Sequence, residues 1–297
     1  MSRKGMAALL VFLVGVSGLV FARDIDPIVS TDWLEKNLSN PRTVVVDIRK
    51  VEDYKAGHIA GAVNVIQSAW VVSSSTGLRN EVPEADDLGD LISDAGIKAD
   101  SWVVLVGPDF GSFVWITRVA WTLKYAGVEN VAILDGGYSK WEKDGKPVST
   151  DTVKAKPGSF KVKADKAIIA GKDLVVSRIG KGAILDSRGP DAYFGITKVP
   201  FVSQFGHIPG AKNLPSAWIV GAEGLARSKA ELEAMAGAQF KNRNGEIIVY
   251  CDTGVVASGW WFILHEMLGY KDVKNYDGSS EEITKDPKIV YARYVWE

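Results

Sequence analysis

Short apolar runs alternate with amphipathic stretches along most of the chain. Val44-Val45-Val46, Val103 to Val106, Ala183 to Leu185 and Ile247 to Tyr250 are continuous β-prone runs, and Asp, Gly or Cys ends each of them. Runs of this length bounded by turn residues read as strands buried on both faces. Between them, Trp33 to Leu38, Leu88 to Ala95, Ile116 to Tyr125 and Lys229 to Ala236 repeat apolar positions at helical spacing. The alternation predicts an α/β fold in which helices cover a mainly parallel sheet. One apolar stretch is different. Met6 to Phe21 follows Arg3 and Lys4, is interrupted by Gly15, Ser17 and Gly18, and ends with small residues at Val20 and Ala22 before Arg23. It is short for a membrane span, which needs about 20 residues. It predicts a signal peptide over 1–22 that is removed on export, with a periplasmic location and no stable membrane insertion afterwards.

The pattern is also duplicated, which organises the rest of the chain. Val46-Asp47-Ile48-Arg49 matches Leu185-Asp186-Ser187-Arg188, and Gly57-His58-Ile59-Ala60-Gly61-Ala62-Val63-Asn64 matches Gly206-His207-Ile208-Pro209-Gly210-Ala211-Lys212-Asn213. Ser68-Ala69-Trp70 pairs with Ser216-Ala217-Trp218, and Leu134-Asp135-Gly136-Gly137 with Tyr276-Asp277-Gly278-Ser279. The second copy carries extra residues around Ile196 to Phe205. These matches divide the chain into one domain over 24–148, a polar Pro- and Gly-containing linker over 149–165, and a second domain over 166–297. The charged stretch Lys161 to Lys172 reads as a solvated linker face.

Composition narrows the function. At 297 residues with 46% hydrophobic positions and ten Trp, the chain has ample apolar material for two cores. A formal charge of −1 leaves no electrostatic footprint for nucleic acid. The one cysteine, Cys251, excludes an internal disulfide. It stands between the apolar run Ile247 to Tyr250 and a helical pattern from Ala257 to Leu268, across the Gly-containing segment Asp252-Thr253-Gly254-Val255-Val256. A strand, tight loop and helix start aim backbone amides and the helix dipole at the sulfur, which favours a thiolate or an anionic sulfur adduct. The plainer alternative is a small buried hydrophobe. Three scattered histidines and one cysteine do not make a metal site, and no cofactor motif is present.

With these motifs the chain resembles the tandem-domain rhodanese sulfurtransferases, which include thiosulfate and 3-mercaptopyruvate sulfurtransferases. The resemblance rests on Asp-x-Arg and Gly-His-Ile-x-Gly-Ala-x-Asn in both halves and Tyr-Cys-x-x-Gly in the second half alone. It implies a catalytic second domain and an inactive first domain whose surface closes the cleft. Gly107 stands at the position of Cys251, in keeping with this. It further implies that Cys251 carries sulfur as a persulfide between a small sulfur donor and a thiol or cyanide-like acceptor. Substrate contacts would come from Arg188, Phe113 and the loop Asp252, Thr253, Gly254, Val255, Val256 and Ala257. The amides from Asp252 to Ser258 would hold the transferred sulfur, with Gly254 supplying close backbone approach or positive φ.

Thiosulfate-type members place basic residues after the cysteine, whereas Asp252 and Thr253 follow here, so donor identity stays open. Thr253 can supply the hydroxyl that mercaptopyruvate-type members take from Ser. Arg188 is either a substrate contact or the fixed ion pair expected of Arg49 in the first copy. The paired His58 and His207 read as structural, although similarity to mercaptopyruvate enzymes implies that His58 can approach the cleft; His265 reads as packing or surface. Trp70, Trp115, Trp121, Trp260 and Trp261 read as core or domain interface, and Trp218 either as that or as a cleft residue. A phosphatase of related fold would need Arg six residues after the cysteine, where Ala257 stands. The remaining alternative is a carrier that accepts sulfur on Cys251 and hands it to a redox protein partner without turnover.

Overall fold

The computed structural model describes residues 23–297; the expected signal peptide over 1–22 lies outside them. Two five-stranded sheets form, and every pairing within them is parallel. In the first, the order is Ile28–Val29, Asn130–Leu134, Trp102–Val106, Thr43–Asp47, Val63–Asn64. In the second it is Ile169–Ala170, Asp272–Tyr276, Glu246–Tyr250, Ala183–Asp186, Lys212–Asn213, the same order of equivalent strands. The central strands of each sheet are buried on both faces, which is why they read as unbroken apolar runs.

The shared Gly-His-Ile motif has a common structural explanation. Asn64 Nδ2 donates to the carbonyls of Asp47 and Arg49, and Asn213 Nδ2 to those of Asp186 and Arg188, tying each edge strand to the turn after its neighbour. His58 Nδ1 lies 2.9 Å from the Tyr54 carbonyl and its ring stacks on Tyr54; His207 repeats this on Tyr193 at 2.8 Å. Both rings are buried. They serve the scaffold of each domain.

The helix Phe113–Ala126 of the first domain packs directly against its counterpart Ala257–Trp261 of the second. Trp121, Trp260 and Trp261 are completely buried there, inside a core cluster that runs across both domains. Thr117 Oγ1 and Ser258 Oγ sit 2.9 Å apart at this crossing.

Three sequence expectations need correction. The stretch Lys161 to Lys172 is only partly a solvated face: Lys161, Lys163, Asp165 and Lys166 are exposed, but Ile168 and Ala170 are buried, and Ile169–Ala170 is the edge strand beside Asp272–Tyr276. Nor does the linker float, since the amides of Gly158, Lys163 and Asp165 donate to the first-domain carbonyls of Ser93, Ala126 and Tyr125, and Phe160 packs on the core. Finally, Trp70 does not correspond to Trp218. Gln67 N binds the Ile48 carbonyl and Ser216 N the Ser187 carbonyl, so the equivalent short helices are Gln67–Trp70 and Ser216–Ile219. Trp70 therefore matches buried Ile219, while Trp218 stands 48% exposed at the position of Ala69. A one-residue slip in aligning Ser-Ala-Trp hid this, because the last position of the short helix is buried in both copies and the one before it is exposed.

Candidate active site

Cys251 follows directly on the central strand Glu246–Tyr250, and the loop after it enters the helix Ala257–Trp261, which continues as a wider π-type turn over Phe262–Met267. Cys251 is 1% exposed, and the amides of Ala257, Thr253 and Val256 bear on its sulfur and favour the anion. Not every amide in the loop reaches it. The Gly254 amide donates to Ser279 Oγ at 3.0 Å, and the Ser258 amide to the Val255 carbonyl at 3.2 Å. Gly254 has φ +73°, and a Cβ there would fall 2.7 Å from Asp277 Oδ1. Glycine is required at this turn by both conformation and space.

The electrostatics correct one expectation. Burial pushes the Cys251 thiol above its ordinary value, with the Asp252 carboxylate adding to the effect and the three amides opposing it. Removal from water costs an anion more than three partial charges return. Burial and Asp252 thus oppose the thiolate that the loop amides favour. Burial also raises Asp252, against the nearby Arg188.

Arg188 is held by Asp186, whose carboxylate takes its Nε and Nη2 at 3.0 and 2.6 Å; Nη2 also donates to the Gly206 carbonyl. Its remaining Nη1 lies 3.4 Å from Asp252 Oδ1. Arg49 makes the same bonds to Asp47 and the Gly57 carbonyl. The structural role foreseen for Arg49 is thus shared by Arg188, and only Nη1 is directed at the loop.

The first domain completes the site. Asn80 Nδ2 donates to Thr253 Oγ1 at 3.0 Å, leaving the threonine proton free to be donated elsewhere. Arg118, wholly buried on the first-domain helix, pairs with Asp277 beside Gly254. The Val82 amide also donates to Asp277, and Arg79 pairs with Glu281. Ser279 adopts φ +46°, a strained value for a residue with a side chain, and its hydroxyl accepts the amides of both Cys251 and Gly254. A mouth of about 220 Å³ opens beside Val256, with Phe113, Ser187, Gly189, Pro215 and Ala217 in its walls. The Ser187 hydroxyl is buried without a partner among the described residues.

The description "Rhodanese-like domain" matches residues 30–144 and again 172–286. The chain is a tandem-domain rhodanese. A protein of Mycolicibacterium smegmatis that carries the name "Putative thiosulfate sulfurtransferase" is 36% identical over 266 residues, covering 86% of this chain and 94% of that one. The sulfur carrier protein TtuD of Thermus thermophilus is 35% identical over 268 residues, covering 86% and 92%. Among solved structures, the 3-mercaptopyruvate sulfotransferase SseA of Escherichia coli superposes with a TM-score of 0.76 at 25% identity, over 86% of this chain and 99% of that one.

Within this rhodanese, the structure gathers Cys251, Asp252, Thr253, Gly254, Val255, Val256 and Ala257 in one loop, with Arg188 beneath it and Phe113 across the mouth. It does not gather the histidines. His58 is bound to its own domain, and His265 stacks on Trp261 and contacts Glu266. Trp218 is not among the residues that wall the mouth. Sequence reasoning missed Asn80, Arg118, Asp277 as a pairing partner, and Ser279. Only Asp277 and Ser279 left a signal, through the repeated Asp-Gly-Gly and Asp-Gly-Ser.

Proposed function

We propose that Cys251 takes a sulfane sulfur from a small donor and passes it, as a persulfide, to a thiophilic acceptor such as a thiol or cyanide. The observation that carries this is one buried cysteine at the end of a central strand, followed by a tight loop that enters a helix. Cys251 gives up its proton, which ends on the departing half of the donor, and its sulfur attacks the transferable sulfur of the donor. The S–S bond of thiosulfate, or the C–S bond of 3-mercaptopyruvate, breaks, and its electron pair leaves with sulfite or with the pyruvate enolate, which takes up a proton. The acceptor then attacks the outer sulfur of the persulfide and the cysteine thiolate departs. The amides of Thr253, Val256 and Ala257 hold charge on the outer sulfur.

Asp252 makes a dianion such as thiosulfate unfavourable by Coulomb repulsion, so a monoanionic donor of the 3-mercaptopyruvate class is the better substrate. Ser187 Oγ, the Thr253 hydroxyl and Arg188 Nη1 are the groups available to its carboxylate and carbonyl, with Phe113 against its carbon skeleton. Intact mass after incubation with each donor tests the reading. A cyanide-removable gain of one sulfur, larger with 3-mercaptopyruvate and absent in Cys251→Ser, is expected; turnover retained by that variant would sink it.

The burial of the resting thiol, together with a relative named as a sulfur carrier, favours a second reading in which the persulfide is delivered only to a redox protein partner. Loading without turnover on small acceptors would select it. Export is part of the proposal. Among the described residues no helix is long and apolar enough to cross a membrane. Arg23, the first residue after the expected cut, bonds the Val131 carbonyl and pairs with Glu266. Mass of the protein recovered from the periplasm tests the cut.

A further inference from the structure

The first domain has lost its nucleophile but not its mouth. A pocket of about 580 Å³ opens at the place equivalent to the mouth beside Val256, and part of its wall corresponds to the wall there. Lys50 stands for Gly189, Ile66 for Pro215, Gln67 for Ser216 and Ser112 for Val256. Its size suits a small organic ligand. No thiol faces it, so whatever enters is held without covalent capture.

Its charge is what distinguishes it. In the second domain the last guanidinium nitrogen of Arg188 is answered by Asp252. In the first, Pro108 replaces Asp252. The Arg49 side chain is 5% exposed, its Nε and Nη2 are bound to Asp47 and the Gly57 carbonyl, and its Nη1 has no hydrogen-bond partner among the described residues. Arg49 lines this pocket together with Lys50. The Arg49 guanidinium also stacks on Tyr138, 3.7 Å from the ring centroid, and its free Nη1 N–H groups are donors suited to a planar anion. Glu52 and Asp53 also lie in the wall and disfavour a second negative charge, while Ile48, Val51, Ile66 and Trp115 offer an apolar side.

We propose that the first domain is a reversible binding site for a small organic monoanion, with its carboxylate or sulfonate on Arg49 Nη1 and Lys50 and its apolar part against Trp115 and Ile66. This site is independent of sulfur transfer at Cys251.

The test is calorimetric titration of the mature protein with 3-phenylpropionate, and with 3-phenylpropanol as its uncharged analogue. Binding of the acid and not the alcohol is expected, and it persists in Cys251→Ser. Pro108→Asp gives Arg49 the partner that Arg188 has. It should weaken binding about tenfold or more, the worth of a charge-assisted hydrogen bond, while sulfur loading of Cys251 is unchanged. Lys50→Glu should weaken it further. Equal binding by the wild type and Pro108→Asp would overturn the proposal, as would loss of binding in Cys251→Ser or no binding of the acid at millimolar concentration.

Discussion

The two domains share strand order, ion pair and histidine stack, yet only one holds a nucleophile, and five equivalent positions account for the difference. Where Cys251 sits in a cradle, Gly107 has no room for a side chain: a Cβ there would lie 2.6 Å from Ile116 Cδ1. Ile116 fills the space that the sulfur uses in the other copy, where Trp260 stands in its stead and turns its Nε1 to the Pro215 carbonyl. Where Ser279 holds two loop amides at the cost of a positive φ, the first domain has Gly137, whose Cβ would strike the Gly107 carbonyl at 2.7 Å. Pro108 replaces Asp252. Asp135 accepts the Ala226 amide and has no arginine partner among the described residues, whereas Asp277 accepts the Val82 amide and binds Arg118. The first copy did not simply lose a thiol; its loop has been repacked around the loss.

The largest effect expected from breaking this comparison is at Cys251. Cys251→Ser should abolish sulfur loading completely in a mass measurement while the thermal transition stays in place. Next comes the buried cross-domain pair. Arg118→Ala leaves Asp277 without its partner and should cost about 3–5 kcal/mol in denaturant unfolding. Asp135→Asn, in the copy without the cation, should cost about 1 kcal/mol. Equal losses at the two sites would erase the distinction drawn between them. Gly107→Cys should not create a second loading site, and overpacking against Ile116 should destabilise the first domain by about 1–3 kcal/mol. Adding Ile116→Ala should recover stability without restoring the cradle. Sulfur loading at the introduced thiol in either variant would show that the nucleophile alone separates the copies.

The smallest expected effect sharpens the electrostatics of the loop. Asp252→Asn removes the charge that adds to burial in raising the Cys251 thiol, so its pKa falls and alkylation at neutral pH speeds up several-fold. The sign for stability follows from the same shift. A thiol raised above its unfolded value of 9.0 supports folding below that pH and loses this support as pH climbs through the higher folded value. Alkaline unfolding should therefore set in later in Cys251→Ser than in the wild type.

Much of this was legible along the chain. Val44 to Asp47 and Ile247 to Tyr250 had to be central strands, because unbroken apolar runs ended by turn residues fit nothing else in an alternating pattern. The duplication was legible because both copies keep the same polar staples, Asn64 and Asn213 among them, at fixed spacing from an Asp-x-Arg turn. The slip at Trp70 shows where such reading fails: identical letters one residue apart point to opposite sides of a short helix. Asn80 left no signal at all, since it reaches Thr253 only across the domain boundary.

The sequence by itself determined the parallel α/β architecture, the location of the thiol and the asymmetry between copies, because each depends on local pattern and residue identity. The tertiary structure decided which amides bear on the sulfur, that burial and Asp252 push its pKa up, that Arg188 is mostly committed to Asp186, and that Arg49 has no carboxylate in the place of Asp252. These depend on distances between segments far apart in the chain, and hydrogen bonds and desolvation are set by such distances rather than by spacing in sequence.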